Sequence, residues 1–286
     1  MWINVIDPAP AEAAELMHEY GIPAEYIAHS LDMDERARLE RNGDSLLIIL
    51  RVPYFQDHLA DIPYVTIPLG IVVLGEKIIT ICRAENEVIR AVYDGRLPPS
   101  ASGHRFVLYL FLLTAEAYLA YLQQINQKVD ELEDRLQQSM RNKELTELLK
   151  YQKSLVYFTT ALKANEVMME RLQRHGVLQI DSADELWEDV VVESQQAAEI
   201  TAVASNILSQ MMDAFASIIS NNLNVVMEFL AMITIILALP TLVASLYGMN
   251  VNLPFQHSNA AFWLILLLSL ALSGAVALAF IKRKWM

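Results

Sequence analysis

From Phe229 to Asn250 the chain reads FLAMITIILALPTLVASLYGMN. Up to Tyr247 only Thr234, Thr241 and Ser245 interrupt an otherwise apolar run, and Ala260 to Ile281 is a second, longer one. Each is long enough for a helix to cross the roughly 30 Å hydrocarbon core of a bilayer. The uncharged segment Val251 to Asn259 joins them, and Lys282-Arg283-Lys284-Trp285-Met286 follows the second. Basic and aromatic residues of that kind suit the cytoplasmic face of a membrane. Two spans return the chain to its starting side, so both termini are expected in the cytoplasm, in a multi-pass protein of the cell (inner) membrane.

The residues before these spans are numerous enough to bury a core of their own. Neither apolar run is N-terminal, and Met1-Trp2-Ile3-Asn4 does not resemble a signal peptide. The single Cys82 excludes an intrachain disulfide. A net charge of −13 argues against nucleic acid as a partner. Between Arg174 and Lys282 there is no Lys or Arg, whereas Asp181, Asp184, Glu185, Glu188, Asp189, Glu193, Glu199, Asp213 and Glu228 fall inside that interval. An acidic surface ordinarily serves solubility. One that leads straight into a membrane span would also concentrate cations at the mouth of a pore.

Working back toward the N-terminus, the first hundred or so residues read as mixed α/β. Pro8 to Tyr20 has helical spacing, and Asp32-Met33-Asp34-Glu35 reads as a capped helix start. Leu46 to Val52 reads as a strand ended by Pro53, and Tyr64–Leu74 with Lys77–Cys82 as a hairpin about Gly75-Glu76. Pro98, Pro99 and Gly103 mark a boundary. Beyond it, Phe106 to Leu113 is too short an apolar run for a span and reads as a buried helix. Ile125, Val129, Leu132, Leu136 and Met140 form an amphipathic stripe, and a second helix runs from about Lys143 to Arg174.

From about Ala183 to Tyr247 there is no Gly, and the one Pro is Pro240. That predicts a single helix of about 65 residues, close to 100 Å long at about 1.5 Å per residue. A helix of that length needs partners, which points to a parallel oligomer. The predicted architecture is an α/β cytoplasmic domain plus long stalk helices and two C-terminal transmembrane helices. Its segments are an α/β domain over 1–102, a helical arm hairpin over 103–182, a stalk over 183–228, a first span over 229–249, an outer loop over 250–259, a second span over 260–281 and a basic tail over 282–286.

Steps of three and four along this helix trace one face: Asn206, Gln210, Asp213, Ser217, Ser220, Asn224, Met227, Ala231, Thr234, Ala238, Thr241, Ser245 and Gly248. Nearly all are polar or small, whereas Val226, Leu230, Ile233 and Leu237 between them are large and apolar. A coiled-coil seam would show the reverse. The stripe suits a central hydrated path lined by a ring from each subunit. Small residues also let membrane helices pack closely, which is the competing reading. Asp213 on this face would form a carboxylate ring, its plain alternative being a solvated charge. At the end of the span, carbonyls at Gly248 and the Asn250 amide could accept from a hydrated Mg²⁺, which gives up its waters reluctantly. The plain alternative is an ordinary helix cap.

Gly248-Met249-Asn250, preceded by Tyr247 and placed between two C-terminal spans, resembles the signature of the CorA-type magnesium transporter family. The order of domains and the basic, Trp-containing end are similar too. The resemblance implies a funnel-shaped homopentamer with the first span lining the pore and Gly248, Met249 and Asn250 forming the selectivity filter. It implies narrow rings at Asn224, Met227 and Leu230, with Thr241 higher up; Leu230 lies beside Ala231 of the stripe. It also implies Mg²⁺ as cargo and as a regulator held between subunits by carboxylates, at positions matching Asp189 and Asp213. Two departures stand out. The outer loop Val251-Asn252-Leu253-Pro254-Phe255-Gln256-His257 lacks the family's Met-Pro-Glu-Leu carboxylate, and only Asp57 and Asp61 offer themselves as partners for Asp189. The rival readings are a Zn²⁺, Co²⁺ or Ni²⁺ transporter of the same build and, from another class, a membrane-tethered scaffold. The six histidines have no metal-ligand spacing and no nucleophile motif is present, so an enzyme is not expected.

Overall fold

The computed structural model describes residues 1–98, 103–139, 142–174, 178, 184–250, 254 and 260–283. Its contacts divide the chain into two units, Met1–Met212 and Asp213–Met286. The first is built on a five-stranded sheet: β1 (Trp2–Ile6), β2 (Arg38–Asn42), β3 (Ser45–Phe55), β4 (Tyr64–Leu74) and β5 (Lys77–Cys82), in the order β1-β5-β4-β3-β2. β1 runs parallel to β5 and the other pairs are antiparallel. The hairpin between β4 and β5 turns where expected, with Gly75 at φ +58°, a conformation that only glycine adopts without cost.

Both faces of the sheet are covered, which is why β3 reads as a continuous apolar run rather than an alternation. On one face Leu47, Ile49, Val72, Ile79 and Ile81 pack under α1 (Pro10–Tyr20) and α2 (Ala24–Leu31) through Leu16, Tyr26 and Ile27. On the other, Leu46, Ile48, Leu50 and Val52 meet α3 (Glu87–Tyr93), α4 (His104–Ser139) and α5 (Asn142–Arg174). The arm stripe behaves as read: Ile125, Val129, Leu132 and Leu136 are buried, as are Leu148, Tyr151 and Leu155 of α5. Met140 lies outside the described residues.

Two local readings are corrected. Asp32–Glu35 starts no helix. The Asp32 carboxylate accepts from Asp34 N–H at 3.0 Å, and its carbonyl from Glu35 N–H, closing a turn that leads into β2. Pro53 does not end β3, which continues to Phe55. β2 pairs only as far as Ile49, so the backbone polar groups of Arg51 and Pro53 on that side have no strand to meet, and a missing N–H costs Pro53 nothing. At Arg51 the Asn165 amide replaces the absent strand, accepting from its N–H at 3.0 Å and donating to its C=O at 2.8 Å. The hydroxyl of Tyr118 adds a third bond, 3.0 Å, to the same carbonyl.

α2 crosses β4 where Gly70 leaves room. A Cβ on Gly70 would stand 2.6 Å from Ser30 Cβ and 1.8 Å from its Oγ. Ser30 is itself fixed, its hydroxyl donating to Tyr26 C=O at 2.6 Å. Gly70→Ala is therefore expected to destabilise the protein by about 1–3 kcal/mol through overpacking. Thermal unfolding followed by circular dichroism would show it, and an unchanged midpoint would refute this account of the α2–β4 contact.

Among the described residues three helices are long and apolar enough to cross a membrane: α4, α6 (Glu185–Tyr247) and α7 (Ala261–Lys282). In α4, 61% of the most apolar stretch is buried within the protein, against 6% in α6 and 11% in α7. The apolar face of α4 is thus largely occupied by the core, whereas the apolar surfaces of α6 and α7 are exposed.

Candidate ion pathway

In the second unit, one edge of α6 turns toward α7. Met232 is buried, and Ile233, Ile236, Leu239, Pro240, Val243 and Tyr247 are partly covered. Pro240, Val243, Ala244, Tyr247 and Gly248 line a cleft together with Phe262, Ile265, Leu266 and Ser269 of α7. Ser273 of α7 donates to Ile236 C=O at 3.2 Å. At about 100° per residue, the stripe Asn224, Met227, Ala231, Thr234, Ala238, Thr241 and Ser245 lies about half a turn away from that edge. Each of these residues, and Leu230, is exposed in a single chain. Packing of α6 against α7 therefore does not explain the small residues from Ala231 to Ser245 on the stripe. Gly248, the last residue of the stripe, is the exception, since it lines the cleft beside Ala244.

Two of the stripe hydroxyls, on Thr234 and Thr241, are oriented by their own helix. Thr234 Oγ1 donates to Leu230 C=O at 2.8 Å and Thr241 Oγ1 to Leu237 C=O at 3.1 Å. With the proton spent on the backbone, the oxygen offers the outside only lone pairs. Such acceptors suit the water shell of a cation.

α6 closes without a left-handed glycine. Gly248 N–H continues the ladder to Ala244 C=O at 2.9 Å, and Met249 N–H tightens the last turn onto Leu246 C=O at 3.3 Å. Gly248 is not among the glycines with positive φ, so the ordinary glycine cap is not what its lack of a side chain serves. Gly248, Met249 and Asn250 are all exposed at this end. Tyr247 Oη donates to Pro254 C=O at 3.4 Å, tying the outer segment to the end of α6. The remainder of that loop, and Lys284 to Met286, lie outside the described residues.

The acidic residues separate by role. Asp184 caps the start of α6, accepting from Leu186 N–H at 3.1 Å, and pairs with Arg105 at 3.2 Å, so its task is structural. Asp189, in the first unit, and Asp213, in the second, are exposed. Asp57 uses its carboxylate on Leu59 N–H at 3.1 Å in a turn. Among the described residues no three His, Cys, Asp or Glu side chains gather to hold a metal. Among the described residues, the carboxylates of one chain therefore do not form a regulatory Mg²⁺ site on their own. Cys82 is no nucleophile either, since burial pushes its thiol up to about 12.

A family model described as CorA-like Mg²⁺ transporter protein matches residues 1–283. The chain belongs to that family. It is 28% identical over 298 residues to the cobalt/magnesium transport protein CorA of Methanocaldococcus jannaschii, covering 100% of this chain and 91% of the relative. The protein of the same name from Thermotoga maritima is 20% identical over 293 residues, covering 100% of this chain and 83% of the relative. The complete structure of the M. jannaschii CorA magnesium transporter superposes with a TM-score of 0.87 at 26% identity, covering 100% of this chain and 91% of that one. This CorA-like chain is thus a membrane transporter protein and not an enzyme, with the mixed sheet, long helices and C-terminal apolar helices of that fold.

Sequence reasoning missed two hydroxyls on α7, Ser269 and Ser273, which are buried at 5% and 7% exposure. The signal was available: they stand four apart, hence on one face, in a helix with no charge before Lys282.

Proposed function

We propose that the chain assembles as a homopentamer in the cell (inner) membrane and conducts hydrated Mg²⁺ inward through a central path lined by α6. The observation that carries this reading is the placement of the polar and small stripe opposite the α7 edge, where an oligomer would put its axis. Exposed apolar residues on the first-unit part of α6, Val192, Val203 and Ile207, support assembly with further copies. Lys282 and Arg283 after the second span favour a cytoplasmic tail, and with it a cytoplasmic N-terminal domain.

In this reading the ion meets a ring of Asn250 amides at the outer mouth, beside Gly248 and Met249. It then passes Ser245, Thr241, Ala238, Thr234 and Ala231, narrows at Leu230, Met227 and Asn224, and leaves past Asp213. A ring of Asp213 carboxylates would hold cations at the exit, and Asp189 could contribute to regulation only with groups from a neighbouring subunit. The membrane potential supplies the drive: at about 2.3 kcal/mol per charge per 100 mV, a divalent ion gains roughly 4.6 kcal/mol. No coupled hydrolysis is needed. The stripe contains no His or Cys, which favours a hard, hydrated cation over Zn²⁺. The relatives' names include cobalt, so Co²⁺ is the competitor to test beside it.

Proteoliposomes under an inside-negative potential provide the test. Mg²⁺ uptake that Co²⁺ competes with and Zn²⁺ does not supports the reading. Uptake favouring Zn²⁺ would replace the cargo, and no uptake of any divalent ion by well-inserted oligomers would leave only a tether.

A further inference from the structure

Pro240 sits inside α6 and has no N–H. In a regular helix that N–H would bond to the carbonyl four residues earlier, which belongs to Ile236. Within a membrane span no water is at hand to replace the bond, so the carbonyl needs another donor. The donor comes from the other span: Ser273 Oγ donates to Ile236 C=O at 3.2 Å. Ser269, one turn earlier on the same face, spends its hydroxyl on Leu266 C=O of its own helix at 2.9 Å, so of these two serines only Ser273 reaches across.

We propose that Ser273 is a positioning residue for transport, pinning the proline turn of the pore-lining helix to α7 through the carbonyl that Pro240 leaves open. That turn separates Ala238 from Thr241 on the stripe. Ile236 and Pro240 lie on the α7 edge, so the bond fixes how far the opposite edge of the same turn projects into the path. The two residues form one device. Proline creates the acceptor, and the hydroxyl of the second span uses it to hold the first in place. The effect on transport rests on the pathway reading above; the bond itself does not.

The test is a cycle of full-length variants: Ser273→Ala, Ser273→Thr, Pro240→Ala and the double variant Pro240→Ala/Ser273→Ala. Ser273→Ala is expected to lower the maximal rate of Mg²⁺ uptake roughly three- to tenfold, as loss of one interhelical hydrogen bond in a membrane would. The half-saturating concentration should not move, because the outer mouth is untouched. Ser273→Thr keeps the hydroxyl and should restore the rate. Pro240→Ala returns an N–H to Ile236 C=O, so in that background Ser273→Ala should change nothing further. The thermal midpoints of the purified oligomer should show the same non-additivity. Equal losses from Ser273→Ala in both backgrounds, in rate and midpoint alike, would overturn the proposal. Should wild-type vesicles take up no divalent ion, the transport reading fails, while the midpoints still decide whether Ser273 and Pro240 act as a pair.

Discussion

Asn250→Ala is expected to abolish selective Mg²⁺ uptake while leaving the oligomer intact and inserted. Asn250 is exposed just past the end of α6, so its truncation opens no cavity and breaks no core contact. What is lost is an amide acceptor repeated around the proposed axis. A hydrogen bond of this kind contributes about 0.5–1.5 kcal/mol. Repeated by every subunit, even the lower figure amounts to roughly a hundredfold in rate or occupancy. Because the outer segment carries no carboxylate, nothing charged stands by to compensate. Asn250→Asp gives the opposite failure: a charged ring should bind the ion more tightly and release it more slowly, so apparent affinity rises as maximal rate falls. Uptake by proteoliposomes, with size-exclusion profiles of the same preparations, separates loss of the filter from loss of the protein. Wild-type flux in Asn250→Ala would remove Asn250 from the proposed filter.

The parts of this molecule legible in the sequence are those where one physical constraint dominates. A span must be long and apolar, so α6 and α7 stand out. Between Tyr247 and Ala260 stands Gly248-Met249-Asn250, on which the resemblance rests, and the period of the stripe on α6 follows from helix geometry alone. The hairpin at Gly75 is legible for a similar reason, since the turn demands a residue at φ +58°. The strands at the sheet edges are not. β2 reads RLERN, with a single apolar side chain, because an exposed edge is protected by charge. β1 is five residues long, and its partner β5 begins at Lys77, so no local pattern announces the pair. Pro53 misleads because its cost depends on whether a neighbouring strand is present, which only tertiary structure decides.

At the candidate site the split is similar. The residues of the stripe were found by spacing, but spacing alone left two uses open, a hydrated path or close packing of helices. The structure removes one form of the second between Ala231 and Ser245: α7 meets α6 at Ile236, through Ser273, and at the cleft lined by Pro240, Val243, Ala244, Tyr247 and Gly248, about half a turn from the stripe hydroxyls. Ser273 escaped because a serine in an apolar helix has no meaning until the acceptor it serves is known. That acceptor is created by a proline in a different helix.

The claim that the stripe faces a hydrated path is tested most directly by cysteine accessibility under transport conditions. The chain has one cysteine, Cys82, whose burial and raised thiol pKa of about 12 keep it silent toward thiol reagents. Single cysteines would be placed at Ala231, Thr234, Ala238, Thr241 and Ser245, and at Met232, Ile236 and Val243 on the α7 edge. Each would then be treated with a small cationic methanethiosulfonate. The account predicts modification at the five stripe positions, block of Mg²⁺ uptake when they react, and protection by excess Mg²⁺, with no reaction at the other three. Reaction confined to the α7 edge, or equal on both edges, would contradict it.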